Sequence, residues 1–388
     1  MKGRKASAIR GCSQLKLKTK KKKEKETEVC GLGLLPDDVF VDCLTRVSRL
    51  DLVALGMVSR RHRYGAESEE LTDMRHRRGS VDPYLYVFLH MHPDPSPRWF
   101  VLHPVQRQLK PIYPGLYPAP VEGSCFVKTK RGIYTMGGLM NGEPTSEVTF
   151  LDCIEHIVYQ LAPMKMARSG ASAVLIDERI YVFGGCWDQD VADSSNWVEV
   201  HDIGTPTWEL LPVSTPPKTP LKIKQSVVMM DKNLVYAVDE QGQVFVFSAR
   251  ECMFEAEGRT ESKPETKNDW LLANYTFLCR GIGGKVLWRA PGDLEWEEVQ
   301  GLEELQQQHP GFEIIKLCVY SAETLVIFWE ARPQGVLELW YAEFSLSSRM
   351  EGEVWVVRGS IRASGSVLSD SDSSYTGLNL LCAASLHL

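Results

Sequence analysis

Two stretches decide the fold: "GSCFVKTKRGIYTMGGL" (Gly123 to Leu139) and "GASAVLIDERIYVFGGC" (Gly170 to Cys186). Each holds two short runs rich in β-branched and aromatic residues around a polar turn, and each closes on Gly-Gly. That is the signature of a hairpin. The pairs Gly137-Gly138 and Gly184-Gly185 lie 47 residues apart. After each pair come a loop, a strand with Asp ("SEVTFLDC", "NWVEVHD"), a turn and a last strand before Pro. A four-stranded unit repeating about every 50 residues has the period of a kelch blade. One blade exposes apolar faces that only neighbouring blades cover, so blades close into a ring.

The same texture runs outward from these repeats. From Tyr84 to the C-terminus, strand-like runs alternate with Gly, Pro, Asn and Asp turns, and few helices interrupt them. Units at about 224–256, 274–300 and 315–358 repeat the strand order more weakly. In the second of these, Gly283-Gly284 reads as the turn before its second strand. An opening unit, 84–113, shows only the later half of a blade. "GLNLLCAASLHL" (Gly377 to Leu388) supplies the missing strand and closes the ring. The expectation is a mainly β chain with a kelch-type β-propeller over 82–388, of six blades, with seven as the alternative. "EGRTESKPETKND" (257–269) and "SGSVLSDSDSSYTG" (364–377) are polar and turn-rich, and read as mobile loops.

The N-terminal part differs. Residues 1–30 carry eleven Lys or Arg against three Glu, a net of +8, leaving −14 of the total −6 for the rest. A lysine-dense, aromatic-free tail cannot bury enough surface to offset chain entropy, so 1–30 reads as disordered. Its run "KLKTKKKKEKE" reads as an import signal, a nucleic-acid contact or a solvated arm. The acidic body argues against nucleic-acid binding. The ten cysteines are scattered, with no C-x-x-C pair, which fits a reducing compartment, hence cytoplasm and/or nucleus. No apolar run is long enough for a membrane span, and the opening residues lack the apolar core of a signal peptide.

Within a candidate N-terminal domain of 31–79, residues 34–64 look helical. Pro36 suits a first helical turn, and Asp37 and Asp38 sit on the favourable side of the helix dipole. Val39, Phe40, Cys43, Leu44 and Val47 then form one broad apolar face. Leu52, Leu55 and Val58 begin a second short helix, with Asp51 as candidate N-cap. Such short helices are marginal alone and need a partner surface.

At this point the chain resembles the plant F-box/kelch-repeat family. "LPDDVFVDCLTRVSRLDLVALGMVSRRHR" is similar to that family's F-box, and "DPSPRWFVL", "MKMARSGASAVLIDERIYVFGGC" and "SNWVEVHD" to its first blades. The resemblance implies a small all-α F-box that docks on a Skp-type adaptor, and through it on a cullin-RING scaffold. The propeller would hold an unknown protein substrate for ubiquitination. The chain would then be a non-catalytic subunit of an SCF-type ubiquitin ligase. By the same resemblance Leu35 and Pro36 take the opening adaptor contact. Val39, Cys43, Leu44 and Val47 take the first-helix face, and Leu52, Leu55, Val58 and Arg60 the second stretch. Two departures stand out. His62 replaces an aromatic, and Gly65 and Ala66 weaken a third helix by propensity and lost apolar contact.

The rival readings are a propeller scaffold with no ligase role and a metal-dependent propeller enzyme. His90 and His92, two apart on one strand face with His103 near, have zinc or copper spacing, but nothing is spaced to complete the set. Edge-strand histidines in solvent are the simpler reading, so neither a metal nor a cofactor is expected. No G-x-S-x-G and no P-loop occurs, and "GIGG" at Gly281 to Gly284 is a turn into a strand. Trp208, Trp296 and Trp355 fall where kelch repeats keep a packing tryptophan. Trp187 and Asp188, in the loop after the second Gly-Gly, are the substrate-binding candidates.

Overall fold

Short runs of β-branched and aromatic residues between turns, after the N-terminal helices, give six antiparallel four-stranded sheets among the described residues. The computed structural model describes residues 31–79, 81–112, 119–186, 196–214, 223–229, 233–261, 266, 268–293, 295–352, 354–370 and 374–388. The basic tail, 1–30, lies outside these residues. The chain forms two units, one ending at Leu71 and one running from Thr72 to Leu388.

The first unit holds α1 (Asp37–Leu44), α2 (Arg49–Gly56) and α3 (Arg60–Ala66); α4 (Glu69–Arg78) runs across the division. Pro36 is the N-cap of α1 rather than a residue of its first turn. The expected cap Asp51 lies inside α2. Ser48 caps instead, accepting from the Asp51 amide at 3.2 Å while its hydroxyl donates to the Asp51 carboxylate at 2.8 Å. Ser59 caps α3 in the same way, through the His62 amide.

The second unit is a six-bladed β-propeller. Blade 1 holds β1 (Pro83–His92), β2 (Arg98–Leu102) and β3 (Leu109–Pro111). Blade 2 holds β4 (Cys125–Lys128), β5 (Gly132–Met136), β8 (Val148–Asp152) and β9 (Ile157–Gln160), with a small hairpin of β6 (Leu139–Met140) and β7 (Glu143–Pro144). Blade 3 holds β10 (Ser172–Ile176), β11 (Arg179–Phe183), β12 (Val198–Asp202) and β13 (Trp208–Leu211). Blade 4 holds β14 (Ile223–Met229), β15 (Leu234–Asp239), β16 (Gln243–Ser248) and β17 (Met253–Thr260). Blade 5 holds β18 (Asn268–Ala273), β19 (Thr276–Arg280), β20 (Val286–Arg289) and β21 (Glu297–Glu298). After α5 (Glu303–Gln308), blade 6 holds β22 (Ile314–Ser321), β23 (Thr324–Ala331), β24 (Leu337–Glu351) and β25 (Val354–Asp370).

The C-terminal strand β26 (Gly377–His387) returns to blade 1 as its first strand, in the order β26-β1-β2-β3. Its register is antiparallel, with Tyr84 opposite Leu386, Tyr86 opposite Ala384 and Phe88 opposite Cys382. The inner strands β4, β10, β14, β18, β22 and β26 neighbour one another in that cyclic order, which closes the ring. A buried apolar cluster fills each of the six blade junctions. Between blades 3 and 4, for example, Val174 and Phe183 pack with Phe245 and Phe247. Each such side chain contributes about 1.5–3 kcal/mol gross on burial. No blade can bury these faces alone, so closure by β26 is part of the core.

Five expectations are corrected here. The opening unit has three strands of its blade, not half. Blade 5 begins at Asn268, so "YTFLCR" lies on its second strand and Gly283-Gly284 follows that strand, as the glycine pairs do in blades 2 and 3. The described residues of 257–269 and 364–377 are largely strand, since β17 reaches Thr260, β18 starts at Asn268 and β25 runs to Asp370. Trp355 is not core: it is 53% exposed near the tip of the β24–β25 hairpin, which outruns the blade. His90 is not on an edge strand. It is buried on β1, between β26 and β2, and its Nε2 donates to the Asp94 carbonyl at 2.7 Å.

Candidate interaction surfaces

The helical unit separates the expected adaptor residues into two sets. Leu44 and Leu52 are buried, together with Phe40, Val41 and His62. An interface cannot reach Leu44 or Leu52 without opening the unit, so their place is the unit's own core. Cys43, Val47, Leu35 and Leu55 are half-buried, and Pro36, Val39, Val58 and Arg60 are exposed. Around them stand three large apolar residues that the sequence pattern does not single out: Leu34 at 73%, Met57 at 76% and Tyr64 at 78% exposure. Met57 escapes a periodicity search because it follows the last helical residue, Gly56.

The two departures in α3 prove to be packing features. His62 stacks edge-on against Phe40 at 5.4 Å, and its Nδ1 is 2.8 Å from the Ser59 hydroxyl. Imidazole thus fills the aromatic role. A Cβ at Gly65 would come within 2.5 Å of a Phe40 ring carbon and 3.0 Å of a Leu44 methyl. The glycine costs helix propensity but allows α3 to approach α1. Arg61 fastens the same pair of helices. Its guanidinium donates to the Leu35 carbonyl at 2.5 Å and to Asp37 at 2.7 Å, and lies 4.8 Å from the Phe40 ring centre.

In the propeller, the glycine pairs sit where one blade meets the linker to the next. Gly137 and Gly138 both have left-handed backbones, φ +60° and +107°. The Gly138 amide donates to the Arg168 carbonyl at 2.8 Å, and a Cβ on Gly137 would stand 2.4 Å from that oxygen. Arg168 itself is fully buried between blades 2 and 3. It donates to Glu199 at 3.0 Å and to the carbonyls of Gly184, Asn196 and Trp197 at 2.6, 2.8 and 3.0 Å. Glu199 also accepts from the amides of Lys165 and Met166. Trp208 is core as expected, with its indole N–H donating to the Ala162 carbonyl at 3.0 Å, while Trp296 is half-buried.

Among the cavities lined by the described residues of the propeller are two of several hundred Å³. One of about 550 Å³ lies between blades 1 and 2, with the stacked rings of Phe88 and Trp99 on its apolar wall and Thr135, Glu147 and Gln160 on its polar wall. The other, of about 470 Å³, is the central channel, lined by all six inner strands. Trp187 and Asp188 lie outside the described residues. Among the described residues no three His, Cys, Asp or Glu side chains are placed to hold a metal ion. His90 and His92 do meet, with ring centres 4.3 Å apart, but the His103 Nδ1 instead accepts from the Val105 and Gln106 amides.

A short helical unit followed by a six-bladed kelch-type propeller defines the class. Residues 96–368 match the family model described as FKB95, Kelch-repeats domain. A putative F-box/kelch-repeat protein of Arabidopsis thaliana is 31% identical to this chain, over 82% of this chain and 85% of its own length. A second is 29% identical over 83% and 80%, and an F-box/kelch-repeat protein of the same plant is 28% identical over 86% and 88%. The chain belongs to the F-box/kelch-repeat family.

Proposed function

We propose that this chain is the non-catalytic substrate-recognition subunit of an SCF-type ubiquitin ligase. Its F-box docks on a Skp-type adaptor, which joins it to a cullin-RING scaffold, and its propeller holds the protein to be ubiquitinated. The observation that carries the reading is the solvent-facing set Leu34, Val39, Met57, Val58 and Tyr64 in a unit of three short helices. So many exposed apolar side chains in so small a unit mark an interaction site. Burying about four of them at about 1.5–3 kcal/mol gross each is enough for a specific complex after association costs.

The propeller raises the effective concentration of target lysines near the ligation centre without making a bond itself. Its target surface is drawn from the loops that join strands and blades, where variation leaves the frame intact. Cys43, Cys125, Cys153, Cys186, Cys252, Cys279, Cys318 and Cys382 are free thiols, which supports a cytoplasmic and/or nuclear site of action. The test is a pull-down of the purified chain against a panel of Skp-type adaptors. Retention of at least one adaptor supports the ligase role. A folded chain that retains none is better read as a propeller scaffold.

A further inference from the structure

The central channel carries a cation with no carboxylate beside it among the described residues. Lys128 ends the inner strand of blade 2 and lines the channel, where its side chain is open to water. Its ammonium donates to the Ser385 carbonyl at 3.4 Å and has no carboxylate partner among the described residues. The channel's other charges are already committed. Asp269 accepts from Lys316 at 2.8 Å and from Arg280 at 2.6 Å, two cations on one carboxylate. Asp269 holds this position with a left-handed backbone, φ +52°, which aspartate tolerates.

The thiols nearby do not neutralise Lys128. Burial pushes Cys125, Cys318 and Cys382 up to about 12, so they carry no charge at neutral pH. Lys128, with the two cations that share Asp269, leaves this cavity of about 470 Å³ with an excess of positive charge.

We propose that the central channel binds a small oxyanion, a carboxylate or a phosphate ester, with Lys128 as its charge partner. The volume suits a ligand of metabolite size and excludes a folded partner. The net charge of the body is negative, so the channel is a local positive focus within it. This site is independent of adaptor docking, and each reading can fail without the other.

The test uses the full chain at constant ionic strength. Melting temperature is followed in two titrations, one with inorganic phosphate and one with citrate, for wild type, Lys128→Met and Lys128→Arg. The proposal expects a saturable rise in at least one titration for wild type and Lys128→Arg. Loss of the charged hydrogen bond in Lys128→Met should raise the midpoint about ten- to a hundredfold or abolish the response. A response to phosphate alone assigns phosphate esters, and one to citrate alone assigns carboxylates. No saturable response in either titration overturns the proposal, as does an equal response in Lys128→Met. Without ligand, Lys128→Met should melt no lower than wild type, because it removes an unbalanced charge; a lower melting point would mean that the ammonium is satisfied by the fold and would also overturn it.

Discussion

The Arg168 guanidinium and the Glu199 carboxylate meet at 3.0 Å with both side chains fully shut off from solvent. Around them the backbone supplies three carbonyls to the cation and two amides to the anion, so every charge at this blade junction is matched. Such a pair is strongly destabilising when only one partner is removed. Arg168→Ala should therefore lower stability by about 3–5 kcal/mol. Chemical denaturation reads this directly, and an unchanged midpoint would show that blades 2 and 3 do not depend on the pair.

The register of Phe88 opposite Cys382 makes the two ends of the propeller one sheet. Removing residues 377–388 takes away the inner strand of blade 1 and exposes the buried faces of Leu85, Val87 and Leu89. The shortened chain should lose its cooperative melt and become protease-sensitive throughout the propeller. A native-like melt would contradict closure by this strand.

Gly65→Ala separates propensity from packing. Alanine is the better helix former by about 1 kcal/mol. Its methyl would nevertheless press on Phe40, which His62 and Arg61 hold in place. Net destabilisation of about 1–3 kcal/mol is expected, as for other overpacked sites. A stabilised variant would mean that α3 stands off from α1.

His309 gives a pH test. Its ring lies 4.6 Å from Trp340 and 5.2 Å from Trp329, and burial lowers its pKa below the ordinary 6.5. The unfolded chain then binds the proton more readily than the folded one. The contribution is present above pH 6.5 and lost as pH falls through the lower folded value. His309→Phe should flatten the fall in melting temperature between neutral pH and the mildly acid range. Parallel curves for the two proteins would refute it.

How much of this was legible in the sequence follows from what each signal measures. The Gly-Gly spacing announced the propeller because a linker backbone approaches each pair too closely for a Cβ, as Arg168 does at Gly137. The first strand of blade 5, "NDWLLA", was hidden because it follows a polar stretch and carries a bulge, which shifted the reading of Gly283-Gly284. Trp355 was misassigned because strand pattern does not reveal where a hairpin outruns its blade. The channel charge was invisible: Lys128, Asp269 and Lys316 come from three blades and meet only when the ring closes. In the F-box, periodicity found the apolar residues but not which way each faces. Leu44 and Val58 fit the same pattern, yet one is core and the other surface.

That difference sets the most direct test. Leu44→Asp would unfold the helical unit and so cannot distinguish docking from folding. Val58→Asp changes a side chain that is 58% exposed and should leave folding stability within about 0.5 kcal/mol of wild type. The measurement is the affinity of the purified full chain for a Skp-type adaptor, with and without Val58→Asp. The account expects tight binding by wild type and a loss of at least about tenfold in the equally stable variant. Equal binding by both proteins, or none by a folded wild type, would contradict it.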